Sequence, residues 1–81
     1  MQKISIGIDR FLEQFNKEYA FLYDNRDRVA GYDEAVNAFD MFILDEQHAA
    51  FVGEFSKYRG DMITSDREAA AFMFALDALV D

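Results

Sequence analysis

The chain has 81 residues, a formal net charge of −8, and neither Cys nor Pro. A chain of this length makes a single domain, so we predict one helical domain over residues 1–81. The lack of Cys excludes disulfides and thiolate metal sites. Apolar residues make up 52% of the chain, which is too hydrophobic for a disordered protein.

Apolar residues recur at steps of three and four near the start of the chain, which predicts a first helix over roughly residues 5–24. Residues 3–8 also alternate between apolar and polar, so a short strand is the alternative there. No obvious partner strand exists elsewhere, and we therefore favour the helix. Residues 24–31 combine Asp, Asn and Gly, a composition typical of a turn.

The second predicted helix begins at Tyr32 or Asp33 and carries its apolar side chains on one face. The inward set is Ala35, Val36, Phe39, Phe42 and Ile43. Because Glu46 would fall on that same face, we expect the helix to break near Asp45. Asp45 is suited to cap the N-terminus of the next helix.

The third predicted helix ends near Gly60, with Lys57 and Arg59 in its last turn. Its apolar stripe contains His48, Phe51, Val52, Phe55 and Tyr58.

A fourth helix is predicted over about residues 66–80, because Ser65 and Glu68 form the sequence pattern of a capping box. Its expected core face contains Phe72, Met73, Leu76, Leu79 and Val80, and Phe74 lies off that face. A helix that is apolar nearly all round is either central in the fold or covered by another chain. The fold class is therefore all-α, a small bundle of three to four helices.

No pattern in the sequence indicates a catalytic residue, a cofactor or a metal site, and we expect no enzymatic activity. A calcium-binding loop starting at Asp24 is excluded, because Arg26 and Arg28 would occupy ligand positions. His48 is the only His, and we interpret it as a partly buried residue bonded to a nearby carboxylate or backbone group.

The negative charge is concentrated in the middle of the chain. Residues 1–32 hold five acids and five bases, residues 33–56 hold six acids and no base, and residues 57–81 hold five acids and three bases. This distribution argues against direct binding to nucleic acid or to a membrane surface. No secretory signal is evident, and the longest apolar run is far short of the ~18 residues that span a bilayer. We therefore expect a cytoplasmic protein.

The outer side of the second helix mixes carboxylates with Met and Leu, which favours a surface for a basic, partly apolar protein. The candidate partner-binding residues are Asp33, Asn37, Asp40, Met41, Leu44, Asp45, Tyr19, Tyr23 and Phe74. The last three are included because the fourth helix and residues 19–23 carry more apolar surface than so short a chain can hide. The same surplus predicts a homodimer.

Function is best interpreted as a protein–protein interaction module, an inhibitor or adaptor. Small, acidic, Cys-free domains are typical of inhibitors encoded by phages and mobile elements. One alternative is a DNA mimic, whose carboxylates copy the phosphates in a nucleic-acid-binding site. Another is a homodimeric structural or regulatory subunit without enzymatic activity. Salt dependence distinguishes the first two, because a DNA mimic loses affinity steeply with salt.

Overall fold

Four helices make up the fold in the computed structural model, which describes residues 6–25 and 30–79. They are α1 (Ile8–Asn25), α2 (Tyr32–Phe42), α3 (Glu46–Arg59) and α4 (Asp66–Leu79). The described residues contain no strand, and the predicted all-α bundle is confirmed. The first helix begins three residues later than predicted. Half of the possible strand over residues 3–8, and half of the turn over residues 24–31, lie outside the described residues.

The predicted break between α2 and α3 is confirmed. The Asp45 side chain accepts hydrogen bonds from the backbone N–H groups of Gln47 at 3.0 Å and His48 at 3.3 Å. These bonds satisfy two donors that the first turn of α3 leaves without helical partners. At the other end of α3, Gly60 adopts φ 84°, a left-handed conformation in which Gly avoids the strain of a Cβ.

The predicted cap of α4 is also confirmed, with one difference. The Glu68 N–H donates to Ser65 Oγ at 3.2 Å, and the Ser65 hydroxyl donates to Glu68 Oε1 at 2.9 Å. In a standard capping box the carboxylate accepts from the N–H of the capping residue. Here Glu68 Oε1 accepts instead from the N–H of Thr64, at 3.1 Å. The cap therefore also holds the end of the α3–α4 connection.

Phe72 of α4 lies at the centre of the core and is fully buried. Its ring is within 6.0 Å, between centroids, of the rings of Phe11, Phe39, Phe42, Phe51 and Phe55. These neighbours come from all three other helices, and most of the ring pairs are edge-to-face, the arrangement that aromatic quadrupoles favour. Helices α1 and α2 both pack on α4, while α3 packs on α1. The sequence left two explanations for the apolar character of α4, a central position in the fold or a cover from another chain. The structure shows that α4 is central.

The buried positions of α4 differ from the prediction. Apart from Phe72, the buried apolar residues of this helix are alanines, whereas the larger predicted core residues are only partly buried. The buried alanines are Ala69, Ala70, Ala71 and Ala75. Small side chains let neighbouring helices approach closely, so α4 is covered on several sides without large side chains. Val80, also predicted for the core, lies outside the described residues.

Two other core predictions were wrong, each for a local reason. Ile43 is 39% exposed, because α2 ends at Phe42 and the chain leaves the helical phase on which the prediction depended. Tyr58 is 54% exposed. The side chain that covers this end of the core is Arg59, whose guanidinium carbon lies 5.1 Å from the centre of the Phe15 ring.

Candidate protein-interaction surface

The outer side of α2 and the turn after it present five exposed side chains, which we call the α2 surface. It consists of Asp33, Asn37, Asp40, Met41 and Leu44. The first four lie on one side of α2 because residues three and four apart share a side of a helix, and Leu44 is exposed in the turn after Phe42. Met41 is 69% exposed and Leu44 is 74% exposed, although both side chains are large and apolar.

The packing of α2 on α4 determines which side of α2 faces outward. Ala35 and Phe39 are buried, and the Phe39 ring lies 5.4 Å from the Phe72 ring. Val36 and Phe42 are partly buried against the same core. The α2 surface occupies the remaining side of the helix, so its exposure follows directly from the core contacts.

The surroundings of the α2 surface are acidic as well. Glu34 and Glu46 are exposed beside it, and the sequence has no Lys or Arg between Ala30 and Ser56. Among the described residues, the ion pairs lie elsewhere: Glu13 with Lys17 on α1, and the Arg59 pairs at the α3–α4 connection. The electric potential at the α2 surface is therefore negative, and a potential of this sign favours groups of positive charge.

Asp45 differs from the other predicted members of this surface. Its side chain is half-buried, and its carboxylate caps α3. It therefore fixes the corner at which the surface ends. The neighbouring side chain of His48 has Nδ1 3.2 Å from the backbone oxygen of Phe42. The imidazole stacks on the Phe42 ring at 4.1 Å between centroids, which confirms the interpretation of His48 as a partly buried, bonded residue.

The remaining predicted residues do not join the α2 surface. Tyr19 is half-buried, with its ring 6.0 Å from that of Phe15, and Phe74 is half-buried and packed against the core. Tyr23 is 64% exposed, and the Arg67 guanidinium lies 4.5 Å from its ring centre. Of these three residues, only Tyr23 offers a largely open side chain.

Further exposed apolar residues were not predicted as candidate site residues. They are Phe21, Ile43, Tyr58 and Met62. Phe21 could have been found from the sequence, because it falls outside the three- and four-residue steps that predict the inner side of α1. Met62 lies in the α3–α4 connection, where no periodicity applies.

At the α3–α4 connection Arg59 pairs with Glu68, a carboxylate whose pKa is shifted. Burial alone raises the pKa of the Glu68 carboxyl. Hydrogen bonds from Arg59, the Thr64 N–H and the Ser65 hydroxyl outweigh burial and hold this pKa below its ordinary value. Sequence analysis identified Glu68 as part of the cap but did not identify Arg59 as its partner. Their contact depends on how α3 and α4 pack.

The α2 surface combines exposed apolar side chains with carboxylates. Within residues 6–25 and 30–79, no group of three or more His, Asp or Glu side chains is close enough to hold a metal ion. The Nδ1 atom of His48 is already directed at a backbone oxygen. What the surface does offer is apolar contact area from Met41 and Leu44, with carboxylates placed beside it.

Comparison of the chain with models of protein families, with curated proteins and with solved structures gives no match. No helix among the described residues combines the length and the hydrophobicity that crossing a membrane requires.

Proposed function

We propose that this chain is a protein–protein interaction module of the inhibitor or adaptor type, which acts in the cytoplasm. Its α2 surface binds a basic, partly apolar surface of a target protein. The observation that carries this proposal is the exposure of Met41 and Leu44 on the acidic side of α2. The composition, that of a small acidic inhibitor from a phage or mobile element, agrees with this function.

The two kinds of side chain contribute differently to such binding. Burying a large apolar side chain contributes roughly 1.5 to 3 kcal/mol, so Met41 and Leu44 supply contact energy. Met also adapts its shape to irregular surfaces because its side chain is unbranched and polarisable. Asp33 and Asp40 supply orientation and speed of association, because charges steer a partner of opposite sign.

A DNA mimic is the alternative that also uses exposed carboxylates. It competes for a site built to bind phosphates, and phosphate-like contacts make affinity fall steeply as salt rises. Two exposed apolar side chains within the α2 surface favour a partly apolar target surface over a site built for phosphates. A measured affinity that depends only weakly on salt supports the apolar interface.

The experiment that tests the proposal uses the double variant Asp40→Lys with Leu44→Lys. Both residues are exposed, so helical circular dichroism and melting temperature should stay near wild type. The binding partner is captured from host lysate with the wild-type chain, identified by mass spectrometry and purified for titration calorimetry. Binding should weaken by about 2 kcal/mol or more, on the order of thirtyfold, because like charges meet and an apolar contact is lost.

The matched control is Asp77→Lys with Ala78→Lys on α4. It makes the same change in charge at an exposed acidic and an exposed apolar residue, and it lies outside the α2 surface. Asp9→Lys on α1 is a second control. Equal affinity of the α2 variant and the wild type would show that the partner binds elsewhere and would refute the proposal.

We also propose that the chain forms a homodimer. The apolar surface of α4, one reason to expect a dimer, is largely used by packing within the chain. The other reason is the end of α1, where Phe21 is 55% exposed and Tyr23 is also exposed. These two side chains support self-association away from the α2 surface.

A further inference from the structure

We infer that the target contacts the α2 surface with a cationic amphipathic helix that packs lengthwise along α2. This inference rests on the proposed function of the α2 surface, and it adds the structural element and the chemistry of the partner. It follows from the shape and the charge of the surface. The other common ways in which a protein binds a chain segment also require features that this surface lacks.

Recognition by strand addition requires the exposed edge of a sheet, whose backbone N–H and C=O groups pair with the incoming strand. Residues 6–25 and 30–79 contain no strand. The backbone groups in the interior of α2 are already bonded within the helix, and those without a helical partner lie at its two ends. Along its length the α2 surface therefore offers side chains, and it cannot hold an extended segment through a ladder of main-chain bonds.

Two further modes need side chains that the α2 surface lacks. Proline-rich segments bind in grooves lined by aromatic rings, and phosphorylated segments bind to clusters of Arg. The exposed apolar members of the α2 surface are Met41 and Leu44, neither of them aromatic. The sequence has no Lys or Arg from residue 30 to residue 56.

Helix-against-helix packing remains, and the dimensions of the α2 surface suit it. Asp33 and Met41 are eight residues apart on the exposed side of α2, and Leu44 is exposed in the turn after it. At ~1.5 Å per residue, the helical part is roughly 12 Å, or about two helical turns. Met41 and Leu44 are large, exposed apolar side chains at one end of this length, and such side chains fit between the side chains of a second helix.

Charge complementarity determines the composition of that second helix. The turns of α2 before Met41 carry Asp33, Asn37 and Asp40 on the exposed side. A partner helix needs apolar residues three and four apart opposite Met41 and Leu44, and Lys or Arg on its flanks opposite the carboxylates. A second copy of this chain is disfavoured at this surface, because an α2-to-α2 contact would place carboxylates against carboxylates.

Two synthetic peptides of identical composition test the inference directly. Both contain only Leu and Lys over about five helical turns and carry a fluorescent label. One has Leu at helical spacing, so that it folds as a cationic amphipathic helix. The other alternates Leu and Lys, which gives an amphipathic strand of the same charge. Fluorescence anisotropy measures the binding of each peptide to the full chain at physiological ionic strength.

The helical peptide should bind wild type at least about tenfold more tightly than the alternating peptide. Its affinity should fall by about tenfold or more for Asp40→Lys with Leu44→Lys, and it should stay unchanged for Asp77→Lys with Ala78→Lys. The milder variant Leu44→Ala should also weaken binding, and it protects the test if the double variant is poorly folded.

Equal binding of the two peptides would overturn the inference, because charge alone would then explain the interaction. Undiminished binding of the helical peptide to both α2 variants would overturn it as well. The proposed function fails separately, when neither α2 variant weakens binding of the captured partner. If the α2 variants do weaken that partner while the two peptides bind equally, the proposed function stands and the helical partner is wrong.

Discussion

The Phe42 ring lies flat on the His48 imidazole, with 4.1 Å between centroids and 6° between the planes. His48 Nδ1 is also 3.2 Å from the Phe42 backbone oxygen, so one residue contacts both the side chain and the main chain of the other. Phe42 ends α2 and His48 lies in the first turn of α3. The pair therefore sets the corner between these helices and, with it, the direction in which Leu44 projects.

The variant His48→Gln should be less stable than wild type by about 1 kcal/mol, because Gln can bond the Phe42 oxygen but cannot stack on its ring. The folded variant should bind the captured partner as wild type does, since His48 supports the surface without belonging to it. Chemical denaturation and titration calorimetry give the two quantities. Normal folding combined with complete loss of function would contradict the structural role and indicate that His48 acts chemically.

The variant Phe72→Ala should lose about 3 to 5 kcal/mol of unfolding free energy, which leaves a chain of this size largely unfolded. The reason is that Phe72 is fully buried against five other Phe rings. Tyr58→Ala is the matched control, because Tyr58 is an aromatic residue exposed on α3. Circular dichroism during urea denaturation measures both. A small effect at Phe72, equal to that at Tyr58, would mean that α4 is not central.

The helices could be predicted from the sequence because their signals are local. Asp45 and Ser65 are capping residues close to the backbone groups that they bind, and the structure places a cap at each position. The buried side chains of α1, those of Phe11, Phe15 and Leu22, likewise belong to the three- and four-residue steps from which this helix was predicted. These features depend on residues at most four positions apart, so the structure of neighbouring helices does not alter them.

The features that could not be predicted depend on contacts between helices. Arg59 and Glu68 are nine residues apart on different helices, and no periodicity links them. The buried alanines of α4 have the same origin, because they are covered only once α1 and α2 pack on that helix. For the α2 surface, the exposed residues followed from helical spacing as far as Met41. The exposure of Ile43 did not, because it depends on where α2 ends.

The variant Ser65→Ala should destabilise the fold by about 1 kcal/mol. The loss removes both the acceptor for the Glu68 N–H and the hydroxyl that donates to Glu68 Oε1. Ser56→Ala, in the last turn of α3, is a control of the same chemistry away from a helix start. Denaturant midpoints measure the difference. A midpoint unchanged for Ser65→Ala would show that α4 does not depend on this cap.

The Arg59–Glu68 pair should give the fold a component of acid sensitivity. Because the pKa of Glu68 is lowered in the folded state, its ionised form contributes stability fully above the unfolded value of about 4.3. That contribution is lost as the pH falls through the folded pKa. Glu68→Gln should therefore cost about 2 kcal/mol near neutral pH, because Arg59 loses its buried counter-charge.

The measurement for this pair is urea denaturation of wild type and Glu68→Gln at a series of pH values from neutral to acidic. The difference in unfolding free energy should shrink once the pH falls below about 4. Glu13→Gln is the control, since Glu13 is exposed and its ion pair with Lys17 lies in water. A difference for Glu68→Gln that is constant with pH would contradict the role of its charge.

Self-association should depend on the end of α1. Sedimentation of the wild type at about 10 μM should give a mass above the 9.4 kDa of one chain, because exposed aromatic side chains contribute strongly to interfaces. Phe21→Lys with Tyr23→Lys should shift the protein to monomer, since two exposed aromatic contacts are replaced by charges. Met41→Lys with Leu44→Lys makes an equivalent exchange at the α2 surface and should leave the mass unchanged.

A monomeric wild type would refute the dimer, and a dimer lost only in the α2 variant would place the contact at the α2 surface. That second result would also remove the electrostatic argument for a cationic helix as the partner. The carboxylates of two copies would then lie against each other in the dimer.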